Sequence, residues 1–230
     1  MSVFDNITLP KVIYTTESKY SGIIEVWQSG NTLKLVADGT VQSVSWDSPN
    51  ARKMFFGQMV EVLKEHEPEM TSLLVLGLGG GTMQHLVSKD FPAAHIVSVE
   101  IDQVMVDTAW KYFGIESIPN HRVIVEDACR VIVEPEEYDL QPHSFDALAV
   151  DIYLGDKYPD LGNSGNFFAA LKRMLVPEGL VIFNRIYLEH HQDEVNLFMD
   201  SVDEFFSDVD SVTVAGKTNS DNIIIFARSK

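Results

Sequence analysis

The chain has a single cysteine, Cys129, among 230 residues. That excludes an internal disulfide and any metal site built from several cysteines. Placed in a short helix after an expected strand, Cys129 reads as a small buried apolar side chain rather than a nucleophile. Basic residues are also scarce: 17 Lys and Arg face 34 Asp and Glu, giving a formal net charge of −17. Such a surface repels nucleic acid and anionic lipid, so neither is an expected partner. The excess of acid serves solubility or life at high salt, or it draws in a cationic small-molecule substrate. Composition leaves both readings open. No apolar run reaches the length of a membrane span. The opening residues Met1-Ser2-Val3-Phe4-Asp5-Asn6 place no basic stretch ahead of an apolar one, which argues against export and for a cytoplasmic protein. The adjacent pair His190-His191, with Glu189 and Asp193 nearby, is a poor metal site. Neighbouring helix positions point about 100° apart, unlike an i, i+4 pair. No metal is expected.

What the chain does contain is ordered in two parts. Residues 1–50 read as an antiparallel meander: Val12–Thr16, Tyr20–Trp27, Thr32–Val36 and Val41–Trp46, turned at Ser29-Gly30-Asn31 and Asp38-Gly39. Asp47-Ser48-Pro49-Asn50 then predicts the capped start of a helix running to about His66. Met54, Phe55, Met59 and Leu63 recur along it at helical spacing. From Ser72 strands and helices alternate, so residues 51–230 form a second, larger domain. Strands are expected at 72–77, 95–100, 121–126, 145–151, 179–184, 210–215 and 222–228. Helices are expected at 82–89, 103–113, 128–133, 165–175 and 190–206. Runs such as Ala147-Leu148-Ala149-Val150 lack alternation, which suits a parallel sheet covered on both faces. No helix separates the last two strands, so they pair antiparallel. This is an α/β, Rossmann-like, class I methyltransferase fold: a mostly parallel seven-stranded sheet ending in an antiparallel hairpin.

The chemistry gathers at the carboxyl ends of the expected parallel strands, where open α/β sheets bind ligands. Leu73-Leu74-Val75-Leu76 runs straight into Gly77-Leu78-Gly79-Gly80-Gly81-Thr82. Glycines let the backbone approach a ligand, and the following helix offers free N–H groups. Thr82 stands where a third fingerprint glycine would fall, which counts against a dinucleotide. Glu100 ends the second strand, where an acid can accept both hydroxyls of a ribose. Glu126-Asp127 ends the third, placed to accept from an adenine amino group while Ala128 and Cys129 border the ring. Asp127 also suits a helix N-cap, and Asp102 suits one better still. Asp151 ends the fourth. The loop after it, with Tyr153, Asp156, Lys157 and Tyr158, is either a lid over the site or a plain connector.

Together these features resemble the spermidine synthase (polyamine aminopropyltransferase) family. The likeness begins at Leu33-Lys34-Leu35-Val36-Ala37-Asp38-Gly39-Thr40-Val41-Gln42, similar to the family's L-x-L-D-G-x-x-Q. It continues through the glycine loop and Val99-Glu100-Ile101-Asp102, and reaches Asp151 and Leu171–Leu180. The resemblance implies a donor, S-adenosylmethionine or its decarboxylated form, at Gly77, Gly79, Gly80, Gly81, Thr82, Glu100, Asp127 and Ala128. It implies Asp151 as the base that deprotonates an amine acceptor, substrate contacts at Tyr153 and Asp156, and a homodimer joined through the meander. Several positions depart from the family's pattern. Thr82 replaces the acid that meets the aminopropyl amine, Phe56-Gly57-Gln58 replaces Tyr-x-Glu, and Ser21 replaces a Gln. These changes keep two further readings in play: an S-adenosylmethionine-dependent methyltransferase, and a non-catalytic relative that keeps the nucleoside pocket or only the oligomer surface.

Overall fold

The computed structural model describes residues 9–153, 164–188, 192–215 and 220–230. Asp156, Lys157, Tyr158, Glu189, His190 and His191 lie outside them. Strands β1 (Lys11–Ser18), β2 (Gly22–Ser29), β3 (Thr32–Ala37) and β4 (Thr40–Val44) form an antiparallel sheet in that order. One face packs Ile24, Val26, Leu35 and Ala37 against Met105 and Phe113 of helix α3 (Gln103–Phe113).

The larger sheet contains β5 (Ser72–Leu76), β6 (His95–Glu100), β7 (His121–Val125), β8 (Phe145–Val150), β9 (Leu175–Leu188), β10 (Phe206–Val214) and β11 (Ser220–Ser229). Its spatial order is β10-β11-β9-β8-β5-β6-β7, with β11 running antiparallel between β9 and β10 and the other pairings parallel. Successive strand residues feed opposite cores. Leu73, Val75, Ala147, Ala149, Leu180 and Ile182 join one, with α1 (Phe55–His66) and α2 (Thr82–Asp90). Leu74, Leu76, Leu148, Val150, Val181 and Phe183 join the other, with α4 (Ala128–Val133), α5 (Gly165–Met174) and α6 (Gln192–Asp203). A strand buried on both faces has no polar side to alternate with, so its sequence reads as an unbroken apolar run. No helix among the described residues is long and apolar enough to cross a membrane.

Two expectations need correction. The first long helix starts at Phe55, not at Asp47. A 3-10 turn, Ala51–Lys53, precedes it, and Met54 breaks the path with an extended backbone and no side-chain cap. The cause lies at Gly57, where a Cβ would sit 2.2 Å from the Arg52 carbonyl oxygen. The turn folds back over the helix's first residues, so the two cannot form one continuous rod. The second correction concerns β9, which extends from Leu175 to Leu188 rather than 179–184. Its pairing with β8 jumps from Phe145↔Leu175 to Ala147↔Leu180, looping out the Pro177-Glu178-Gly179 turn. Its far end continues beyond β8 as a long arm paired with β11.

A buried carboxylate ties the two sheets together. Asp102, 2% exposed, caps α3 by accepting from the Val104 N–H at 3.0 Å. Its other oxygen accepts from the hydroxyls of Ser18 at 2.5 Å and Ser21 at 2.6 Å, at the β1–β2 turn. Asp102→Ala removes a cap and strands two hydroxyls. Urea unfolding should show a loss of about 2–4 kcal/mol; a change under 0.5 kcal/mol would mean the two sheets do not depend on this bridge.

Candidate active site

The chain leaves β5 through Gly77, whose φ of +100° is open to glycine and strained for other residues. A Cβ there would lie 2.1 Å from the Asp151 carbonyl oxygen. The glycine therefore lets the loop pass directly over the end of β8. The Gln84 amide on α2 donates to the Gly77 carbonyl at 3.4 Å and to Ser98 at 3.1 Å. Beyond the loop opens a cavity of about 240 Å³. Its wall includes Gly77, Leu78, Gly79, Thr82, Glu100, Asp127, Ala128, Cys129, Asp151 and Tyr153. Six further wall residues come from the small sheet and its first turn: Ser21, Ala37, Thr40, Val41, Gln42 and Ser43.

The glycine run divides by task. Gly77 and Gly79 face the cavity, whereas Gly80 and Gly81 lie off its wall. Gly80 gives its N–H to the Ser43 hydroxyl at 2.8 Å, and a Cβ on it would press on Ser43 and Phe113. Gly81 packs against Ile115 and starts α2. Thr82 lines the wall, but its hydroxyl both donates to and accepts from the backbone of Val44. These residues seat β4 on the loop.

Three carboxylates remain on the cavity wall. Glu100 accepts from the N–H groups of Leu78 at 3.1 Å and Asp102 at 3.0 Å. Burial raises its pKa, and those backbone N–H groups oppose the rise. Each carboxylate oxygen has a second acceptor position, so both still have capacity toward the cavity. Asp127 caps α4 through Cys129 N–H at 2.7 Å with one oxygen, and its other oxygen is left for a ligand. Glu126 pairs instead with Arg130 at 3.3 Å and the Tyr138 hydroxyl at 3.2 Å, so of that pair only Asp127 lines the cavity. Cys129 lines the wall half-buried; burial and nearby Asp127 push its thiol up, against a nucleophile.

Asp151 differs from the other two. Burial lifts its pKa to about 6, opposed by one hydrogen bond from Asn184 Nδ2 at 2.7 Å. Asn184 is 1% exposed and was not anticipated, nor were Gln84 and Ser43. The signal for Asn184 was a polar residue closing the run Val181-Ile182-Phe183. Tyr153 lines the cavity with its ring, but its hydroxyl donates to the Asn184 carbonyl at 2.9 Å and accepts from Ile186 N–H at 2.8 Å. Phe55, Phe56, Ile152 and Ile186 complete an apolar wall. No group of three or more potential metal ligands occurs among the described residues.

Residues 55–230 match the family model of the spermine/spermidine synthase domain. The chain belongs to the spermine/spermidine synthase family. Within it, a polyamine aminopropyltransferase of Vibrio vulnificus (strain CMCP6) is 27% identical over 146 residues, 63% of this chain and 48% of that protein. A Bos taurus eEF1A lysine and N-terminal methyltransferase is 32% identical over 123 residues, 50% of this chain and 17% of that protein. The chain thus spans less than half the length of either relative. In fold, it superposes on spermidine synthase from Thermotoga maritima with a TM-score of 0.74 at 16% identity, covering 96% of this chain and 73% of that one. Human methyltransferase-like protein 13 in complex with SAH superposes at 0.60 with 24% identity, covering 80% and 83%.

A carboxyl whose pKa is raised in the folded state holds its proton more tightly there. Its stabilising contribution is present at low pH and is lost as pH rises toward 6. Asp151→Asn keeps the acceptor for Asn184 and removes the charge. The variant should match wild type near pH 4 and exceed it by on the order of 1–3 kcal/mol at pH 8. Thermal unfolding across that range checks this; a wild type more stable than the variant at pH 8 would contradict the buried-charge assignment.

Proposed function

We propose that this protein is a transferase that binds S-adenosylmethionine or its decarboxylated form and passes a carbon group to an amine or another small nucleophile. The observation that carries this reading is the placing of Glu100, Asp127 and Asp151 around one cavity, where burial lifts the Asp151 pKa to about 6. The wall contains no Lys, Arg or His among the described residues, so a cationic donor and a cationic acceptor are both drawn in. Glu100 suits the ribose hydroxyls, Asp127 the adenine edge, and Gly77 and Gly79 the close approach of the nucleoside.

When bound, the donor supplies an electrophilic carbon beside a sulfonium. An alkylamine with an ordinary pKa near 10.4 enters protonated and must shed a proton before it can attack. Asp151 takes that proton. Its raised pKa brings it about two units closer to the amine than an ordinary carboxylate. The acceptor nitrogen then bonds to the carbon, the carbon–sulfur bond breaks, and a neutral thioether nucleoside leaves.

The methyltransferase reading has one observation in its favour. At the position where the family meets an aminopropyl amine, this chain has Thr82, whose hydroxyl is consumed by Val44, and Phe55 and Phe56 line the wall nearby. An uncharged side chain at that position does not favour the cationic tail of the decarboxylated donor over the zwitterionic tail of the ordinary one. We also propose a homodimer joined through the small sheet, where Val12 and Ile23 are exposed apolar side chains; sedimentation equilibrium reads that state directly.

Calorimetry with methylthioadenosine, S-adenosylmethionine and decarboxylated S-adenosylmethionine tests the pocket. Binding of at least one is expected; silence from all three would favour a non-catalytic relative. With a primary amine present, methylthioadenosine release marks aminopropyl transfer and S-adenosylhomocysteine release marks methyl transfer. The rate should fall about tenfold per pH unit below 6, and Asp151→Asn should lower it by roughly 10²–10⁴-fold. Turnover retained in Asp151→Asn would refute the base assignment.

A further inference from the structure

Asp151 is held by more than its own strand. Asn184 Nδ2 on β9 donates to Asp151 Oδ1 at 2.7 Å, and Asn222 Nδ2 on β11 donates to Asn184 Oδ1 at 2.9 Å. An ionised carboxylate only accepts hydrogen bonds, so Asn184 must present its NH₂ to Asp151. Its carbonyl is thereby turned to Asn222, which meets it with an NH₂ of its own. The relay has a direction, running from β11 through β9 to the end of β8.

Sheet register makes this geometry. Val150 pairs with Phe183, which sets Asn184 level with Asp151. Asn222 lies opposite Ile186, two residues along from Asn184 and therefore on the same face. The main chain is fastened at the same level. The Tyr153 hydroxyl bridges the Asn184 carbonyl and the Ile186 N–H, so the segment leaving Asp151 cannot rotate freely. Charged groups nearby face elsewhere. Arg185 stacks over Tyr187 and Phe198 on the opposite face, Asp221 also alternates away from Asn222, and Glu100 and Asp127 stand at the ends of β6 and β7.

We propose that Asn184 and Asn222 are positioning residues that clamp one oxygen of Asp151 and leave the other, Oδ2, as the single proton acceptor facing the cavity. Asn222 does this without lining the cavity itself. The proposal rests on the transferase reading for its use, but the clamp is measurable without turnover. In Asn222→Asp, the new carboxylate can only accept, so Asn184 must turn its NH₂ toward β11 and its carbonyl toward Asp151. Asn184→Leu removes the same donor without adding charge. Each variant therefore takes from the ionised Asp151 its one side-chain donor among the described residues.

The test is a ¹³C-carboxyl NMR titration of the full chain, with the Asp151 resonance identified by its loss in Asp151→Asn. Both variants should titrate at Asp151 roughly one pH unit above wild type, while the methylthioadenosine affinity of Asn222→Asp, whose site lies off the cavity wall, stays within about twofold. The acid limb of kcat/KM should move with the resonance, with kcat falling roughly tenfold. An Asp151 titration unchanged in either folded variant overturns the proposal. A shifted titration in a protein that consumes neither donor sustains the clamp and counts against the transferase reading instead.

Discussion

The whole site depends on a close pass between two main chains. Where β5 ends, the Gly77 N–H bonds back to Val99 of β6 at 2.8 Å, and the Asp151 N–H bonds to Leu76 at 2.8 Å. These two bonds pin the end of the central strand to both neighbours. The loop can then leave only across the Asp151 carbonyl, in space that a Cβ would fill. This is also where the strand order changes direction, with β8 on one side of β5 and β6 on the other. Helices following these strands cover opposite faces, and a crevice opens between them. The glycine loop and Asp151 are neighbours because one glycine lets their backbones touch.

Four acids near this crevice share one chemistry, yet their partners give them different work. Asp102 is consumed by two serine hydroxyls and a helix N–H, and it holds the sheets together. Glu100 is braced by backbone N–H groups and remains an acceptor with a fixed direction. Asp127 spends one oxygen on a cap. Among the described residues Asp151 is met by one side-chain amide, that of Asn184, and burial lifts its pKa to about 6. Donors to a carboxylate favour its charged form and burial opposes it. The four acids thus differ through their partners, not through residue type.

Sequence patterns revealed whatever was governed by local rules. Double-sided burial made the parallel strands visible as apolar runs, and chain order then placed Gly77, Glu100, Asp127 and Asp151 at one edge. The cap at Asp102 was equally legible, because an acid just before a helix has a local partner two residues on. What stayed hidden depends on contacts between distant segments. Gly80 and Thr82 look like ligand residues in a glycine-rich loop, but Ser43 and Val44, nearly forty residues earlier, claim them. The late start of α1 depends on Gly57 meeting Arg52. Asn184 carries no motif; only the pairing of β8 with β9 brings it level with Asp151.

These hidden contacts change how the small sheet should be understood. Ser43 reaches the loop glycines, and Ser21, Thr40, Val41 and Gln42 supply cavity wall. The sheet is therefore one side of the site rather than an appendage to it. Gly80 serves the sheet and Gly77 serves the base, so one loop answers two structural demands besides any ligand. The ends of β5, β6 and β7 carry one side of the cavity, and the small sheet and the first turn of α1 supply another, where Phe55 and Phe56 stand. Relatives that share the larger sheet can consequently bear the names of both an aminopropyltransferase and a methyltransferase. The strand ends that carry Glu100 and Asp127 and the wall that Phe55 and Phe56 supply are different pieces of chain, and only the former are built into the parallel sheet.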